Sequence, residues 1–297
     1  MLKRATILVS ACCLATAAFG AENTSKTLRL LWLGSSSMYY HNQPKVLAEW
    51  LTRFAHTPVK SEIAGRSGTG VHVYLRDGFK AEYGLKPQQT VLGKIAKENY
   101  DYVVLQIPAE FIAGPEGDEH DRSLDVYCQA IRAAGGEPIF YEMGWGRDEK
   151  AELGRGKILA AAQRNDIVRY APCSSAWARV RRECPDLELQ NPPDTAHPGT
   201  LGAYLNLCCF YAAVTGRSPA LVPRQLKIWP HLSDQEKTEF NARAKQVEFD
   251  EYDRALSGWM KKFLVAARPI EIEPETATYL QRVAWEEHQR FQKELRP

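Results

Sequence analysis

Leu28-Arg29-Leu30-Leu31-Trp32-Leu33-Gly34-Ser35-Ser36-Ser37 is the stretch that decides the fold. Its first six residues carry five large apolar side chains without alternation, the pattern of a strand buried on both faces of a parallel sheet. It stops where the polarity changes, at glycine and three serines. Three more apolar runs end in the same way: Tyr102–Gln106, Pro138–Glu142 and Ile167–Ala171, with a weaker fifth at Val59–Ile63. Between them lie segments with helical spacing: Lys45–Phe54, Gln89–Glu98, Ser123–Ala134 and Gly154–Asn165. Strands alternating with helices predict an α/β protein whose parallel sheet has helices on both faces. Such sheets carry their functional loops at the carboxyl ends of the strands. Ser36, Gly68, Glu110, Glu142 and Trp145 all follow strands. The Gly-, Pro- and acid-rich stretch Ala109–Asp121 reads as a loop on that side.

Bulk properties narrow the function. At 44% hydrophobic and 25% charged, the 297-residue chain has an ordinary globular composition, suited to one domain of roughly 200–250 residues plus extensions. A formal net charge of +2 without a basic stripe argues against a nucleic-acid partner. Arg179, Arg181 and Arg182 read as a solvated helix face. Residues 1–20 read as a signal peptide: Lys3 and Arg4, then an apolar or small run, then Ala18-Phe19-Gly20 as a cleavage site. The segment is too short to be preferred as a membrane span. Val9-Ser10-Ala11-Cys12 also resembles a lipobox, which would leave Cys12 as a lipid anchor. Either route exports the mature chain, to the periplasm or the medium. Cleavage leaves Cys128, Cys173, Cys184, Cys208 and Cys209. Cys173 and Cys184 are the expected bridge, and Cys208 and Cys209 are expected to be small buried hydrophobes. No Cys-x-x-Cys pair occurs, so a zinc knuckle is not indicated.

Chemistry enters at Asp194-Thr195-Ala196-His197-Pro198-Gly199, a carboxylate three residues before a histidine. The stretch reads as a proline-bearing turn ahead of the apolar helix Leu201–Thr215, with Gly216 as its C-cap. A carboxylate so placed can fix an imidazole's tautomer while the ring acts as general base. The nucleophile for that base is Ser36, just past the first strand, in the order Ser … Asp … His. Ser37 is a neighbour suited to capping. Tyr39, Tyr40, His41 and Asn42 are expected at the site entrance, and Trp145, with Arg147, where it could stack on a sugar face. Asp118-Glu119-His120-Asp121 reads as a solvated helix start rather than a metal cluster. Farther on, Arg217–Leu232 is Pro-rich and reads as irregular. Helices are expected from Ser233, over Tyr252–Ala267, and over the tail Pro274–Pro297, which would pack on the body or on a partner.

Four blocks, Leu28–Ser37, Gly65-Arg66-Ser67-Gly68, Asp101–Glu110 and Asp194–Tyr204, resemble in order those of SGNH (GDSL-like) hydrolases. The resemblance covers Leu28 to Pro219, and its most specific element is Asp194-x-x-His197-Pro198 followed by Gly202-Ala203-Tyr204. It implies a three-layer flavodoxin-like domain over 26–268 and a C-terminal helical extension over 269–297. It also implies Ser36 as nucleophile, His197 as base and Asp194 as its orienting acid. Backbone N–H groups of Ser36 and Gly68 (Gly65 is the alternative) would hold the oxyanion. The chain departs from the family pattern at Ser35, where many members carry aspartate, and at Glu110, where they carry an oxyanion-donating asparagine. A carboxylate cannot donate unless protonated, so Gln106 is the replacement donor, and Glu110 joins Tyr39 and Trp145 as substrate-binding residues. The resemblance implies an esterase without cofactor, acting on small-molecule or polysaccharide esters, acyl-sugars above all. A binding protein on the same fold and a lipid or thioester hydrolase are the alternatives.

Overall fold

A computed structural model describes residues 26–77, 90–144, 149–191, 194–229 and 265–295, with isolated positions between 235 and 246. The signal peptide, Cys12, Trp145 and Arg147 lie outside the described residues, as does most of the region expected to be helical between Ser233 and Ala267. Five strands form the central sheet: β1 (Leu28–Gly34), β2 (Val59–Gly65), β3 (Tyr102–Pro108), β4 (Glu137–Met143) and β5 (Arg169–Ala171). All neighbours pair parallel, in the order β2-β1-β3-β4-β5. This is the doubly wound, flavodoxin-like order, in which the chain changes direction across the sheet between β1 and β3.

The uniform apolar character of β1 follows from burial on both faces. Leu30 and Trp32 face one core with Val104, Ile139 and Tyr141, while Leu31 and Leu33 face the other with Val103, Leu105 and Phe140. The helices α2 (Gln43–Phe54), α8 (Cys173–Glu183) and α9 (Thr200–Thr215) cover the first face. The helices α3 (Val71–Asp77), α4 (Val91–Glu98), α6 (Gly117–Ala133) and α7 (Glu149–Arg164) cover the second. Phe210 of α9 wedges between Trp32 and Tyr141, with ring centroids 4.8 and 4.7 Å away. Helix α9 is apolar all round because the C-terminal helix Pro274–Leu295 covers its outer side with Leu280, Val283 and Ala284. Gly216, with φ +65°, ends α9 in the left-handed conformation expected of a C-cap.

Four local expectations are corrected. Ala109–Asp121 is not a loop: α5 (Ala109–Ile112) follows β3 directly, and α6 starts at Gly117, where Asp118 and Glu119 complement the free N–H groups of its first turn. Asp194–Pro198 is strand β7, antiparallel to β6 (Gln190–Asn191), rather than a turn. Within Arg217–Leu232, β8 (Gln225–Ile228) pairs with β9 (Arg268–Glu271), a partner too distant in sequence for local propensity to announce. Cys173 and Cys184 are both free. They flank α8, whose rise of 1.5 Å per residue separates them by about 16 Å, far beyond disulfide reach.

The strand tips are packed so tightly that side chains are excluded. A Cβ on Gly34 would sit on Gln106 Oε1 and 2.5 Å from Gln106 Cβ, and one on Gly65 would strike the carbonyl of Gly34. Gly34→Ala is therefore expected to lower stability by about 3 kcal/mol, a fall in melting temperature of about 6–12 °C by the usual scaling for a domain of this size. Thermal melts of the two proteins check this.

Candidate active site

The crevice at a topological switch point is where an open α/β sheet binds its ligands, and here it lies between the tips of β1 and β3. After Gly34 and Ser35 the chain turns straight into the short helix α1 (Ser36–Tyr39), which puts the half-buried Ser36 at the sheet's carboxyl edge. Across the crevice the Ser35 N–H donates to Gln106 Oε1. A backbone N–H can only donate, so the oxygen of Gln106 is fixed on this side. Gln106 Nε2 is thus left with its two N–H groups, buried and without a hydrogen-bond partner among the described residues.

The tip of β2 supplies the next wall. Gly68 is exposed in the loop after Gly65 and has φ +66°, a conformation glycine adopts without cost. Two tyrosines tie this loop down. Tyr39 Oη and Ser67 Oγ are 2.8 Å apart. Tyr74 Oη donates to the Gly34 carbonyl (2.7 Å) and accepts from the Arg66 N–H (2.9 Å). Tyr39 is therefore a buried tether rather than a residue of the entrance, and burial pushes its phenol above the ordinary range. Tyr40, His41 and Asn42 are buried with it, which corrects their expected placement as well.

Strand β7, which runs from Asp194 through His197 to Pro198, lies beside α1. Its ladder is irregular: Asn191 pairs with Asp194 and Gln190 with Pro198, so one step along β6 faces four along β7. Residues 195–197 bulge out of the pairing, a device that re-aims side chains. His197, at the end of the bulge, is partly buried and stacks on Tyr40, with ring centroids 4.4 Å apart and planes at 15°. Asp194 opens the strand, and its side chain lies outside what the structure describes.

Glu110, in the first turn of α5, lies on the β4 side of the crevice. Its Oε1 is 3.4 Å from where a Cβ on Gly144 would stand, and Ser174 Oγ is 2.9 Å from the same point. Below them Glu142 is fully buried and accepts from the Ser175 N–H (3.2 Å) and hydroxyl (3.0 Å), satisfying a free N–H in the first turn of α8. Burial raises its carboxyl to about 7, against the opposing pull of the Ser175 donors. A carboxyl raised on folding keeps its proton longer in the folded state, so its stabilisation is complete below the unfolded value of 4.5 and lost as pH climbs through about 7. Urea midpoints of wild type and Glu142→Gln are expected to diverge between pH 5 and 8. The wild type should lose about 3 kcal/mol relative to the variant over that range.

On the far face, His120 is fully buried rather than on a solvated helix start. Its ring lies 5.0 Å from that of His72, whose Nε2 is 3.0 Å from Glu116. Among the described residues no group of three His, Cys, Asp or Glu side chains is arranged to hold a metal ion, and no helix is long and apolar enough to cross a membrane.

Sequence reasoning missed Tyr74 as a tether and misplaced Tyr40 and His41. The available signal was His41-Asn42 ahead of Gln43-Pro44: both residues take left-handed backbone, φ 55° each, which His and Asn tolerate better than most.

Compared with known proteins, the chain matches no family model and no curated protein. Among solved structures it is similar to one described as a gut microbial diltiazem-metabolizing enzyme, with 15% identity and a TM-score of 0.39 over 65% of this chain. The match spans 47% of that protein, about half its length.

Proposed function

We propose that this chain is an exported serine hydrolase of the SGNH (GDSL-like) superfamily that cleaves carboxylic esters, acyl groups on carbohydrates being its substrates. The observation that carries the reading is Gln106. Its oxygen is anchored by the Ser35 N–H, and its buried amide donors are left over beside Ser36 at the switch point. A preorganised donor in a water-poor site is what an oxyanion requires. The amide favours Gln106 over Glu110 as the oxyanion-donating side chain.

Ser36 Oγ attacks the ester carbonyl while His197 takes its proton, and Asp194 steadies the resulting imidazolium. The oxyanion is held by the backbone N–H groups of Ser36 and Gly68 and by Gln106 Nε2. On collapse the leaving alcohol takes the proton from His197. The same imidazole then deprotonates a water that hydrolyses the acyl-enzyme. The scheme uses protein groups alone. Glu110, on the β4 side, would meet the alcohol portion of the substrate.

Incubation with a fluorophosphonate tests the reading. Wild type is expected to gain one covalent adduct on Ser36, read by peptide mass, and Ser36→Ala to gain none. Folded wild type without a Ser36-dependent adduct overturns the proposal.

A further inference from the structure

His41 is held at both ring nitrogens. The Trp229 backbone N–H lies 2.9 Å from its Nδ1, and the Pro198 carbonyl 2.9 Å from its Nε2. Because the Trp229 N–H can only donate, Nδ1 is the acceptor, and the single ring proton sits on Nε2, where it donates to Pro198. Burial, with His197 adding to it, lowers the imidazole to about 4, in keeping with a ring that must stay neutral to make both bonds. His41 thus ties the residue after His197 to the segment after β8.

Tyr40 completes the arrangement. One face lies on the His197 ring, Trp229 lies at 5.6 Å, and His41 packs edge-on at 4.6 Å. The Tyr40 N–H donates to the Ser36 carbonyl, so the residue stacked on His197 follows Ser36 by one helical turn. Two successive left-handed residues, His41 and Asn42, turn the chain beyond Tyr40. Such backbone is costly outside glycine and is found where the surroundings enforce it, commonly at functional sites.

We propose that Tyr40 and His41 are positioning residues of the hydrolase, Tyr40 setting the plane of the His197 imidazole through the stack and His41 setting the position of its backbone through Pro198. The proposal rests on the esterase reading. The Tyr40 ring also presents its π-face to the imidazolium formed when His197 accepts the Ser36 proton, an interaction that strengthens only after proton transfer. Losing it acts on kcat and leaves ground-state binding untouched.

The test compares wild type, Tyr40→Phe, Tyr40→Leu and His41→Asn in p-nitrophenyl acetate turnover and in the rate of Ser36 phosphonylation, with melting curves as the control for folding. Asparagine suits the left-handed backbone and can accept from Trp229, but it is too short to reach Pro198. Tyr40→Leu is expected to lower kcat and the labelling rate together by about 10- to 100-fold with KM within about twofold. Tyr40→Phe, which keeps the ring, should restore both to within about threefold of wild type. His41→Asn is expected to lose about tenfold in kcat alone. A folded Tyr40→Leu that turns over like wild type, or a loss that Tyr40→Phe shares in full, overturns the proposal. Should Tyr40→Leu not fold, His41→Asn decides in the same way: unchanged kcat overturns it. Wild type that never labels at Ser36 instead sinks the esterase reading and this proposal with it, a result distinct from active wild type with an indifferent Tyr40.

Discussion

Ser36→Ala is expected to lower kcat for p-nitrophenyl acetate by about 10⁴- to 10⁶-fold, and His197→Ala by a similar factor. The two losses should not add. Without the hydroxyl the imidazole has no proton to accept, and without the imidazole the hydroxyl is a weak nucleophile at neutral pH. A Ser36→Ala/His197→Ala double variant is therefore expected to be no slower than either single variant. Residual rate above the uncatalysed reaction should persist in all three, since the oxyanion donors remain. Ser36 is the first residue of α1 and half-buried, and the N-cap position belongs to Ser35 instead. Alanine there should leave the melting temperature within a degree or two, as expected of a surface substitution. Full losses that multiplied in the double variant would show that serine and histidine act separately, contrary to a shared proton.

The second large effect is at Gln106, where two substitutions separate its anchor from its donor. Gln106→Glu keeps an oxygen for the Ser35 N–H but exchanges the amide donors for a second oxygen. A carboxylate there repels the charge that develops on the substrate carbonyl. Gln106→Leu removes both functions and leaves the buried Ser35 N–H unsatisfied, a cost of about 1–3 kcal/mol in stability. Loss of one oxyanion donor costs about 10²- to 10³-fold in kcat. Both variants are expected to reach that figure, and the glutamate should fall further at pH values where it is ionised. KM should stay within a few-fold, because the donors act on the transition state. Steady-state kinetics across pH 5–9 check both points. A glutamate variant at wild-type speed would remove Gln106 from the site.

Much of this was legible in the chain, for a physical reason. Strands buried on both faces cannot hide their composition, so Leu28–Leu33 and its four counterparts announced the sheet; the structure extends four of them by one or two residues at an end and shortens Ile167–Ala171 to Arg169–Ala171. That the tips of β1 and β3 bring Ser35 and Gln106 together followed from the rule for such sheets. What stayed hidden depended on contacts distant in sequence. Pairing of Gln225–Ile228 with Arg268–Glu271 has no local signature. The bulge at 195–197 is set by β6, not by its own residues. Tyr39 and Tyr40 follow a serine at the sheet edge and read as entrance residues. Their burial arises because Ser67, His197 and Trp229 arrive from three other parts of the chain.

The apolar helix α9 has one more consequence, in the timing of folding. Its outer side is covered by residues that come much later: Gln281 Nε2 donates to Tyr204 Oη at 2.8 Å across 77 positions of sequence, and Leu280, Val283 and Ala284 close over the same side. During synthesis every strand of the main sheet emerges before that cover exists. Until residue 284 and its neighbours are free to dock, the outer side of a 16-residue apolar helix must stand uncovered, the kind of exposed surface that promotes aggregation. The core on this face of the sheet can therefore close only after residues 277–284 have emerged.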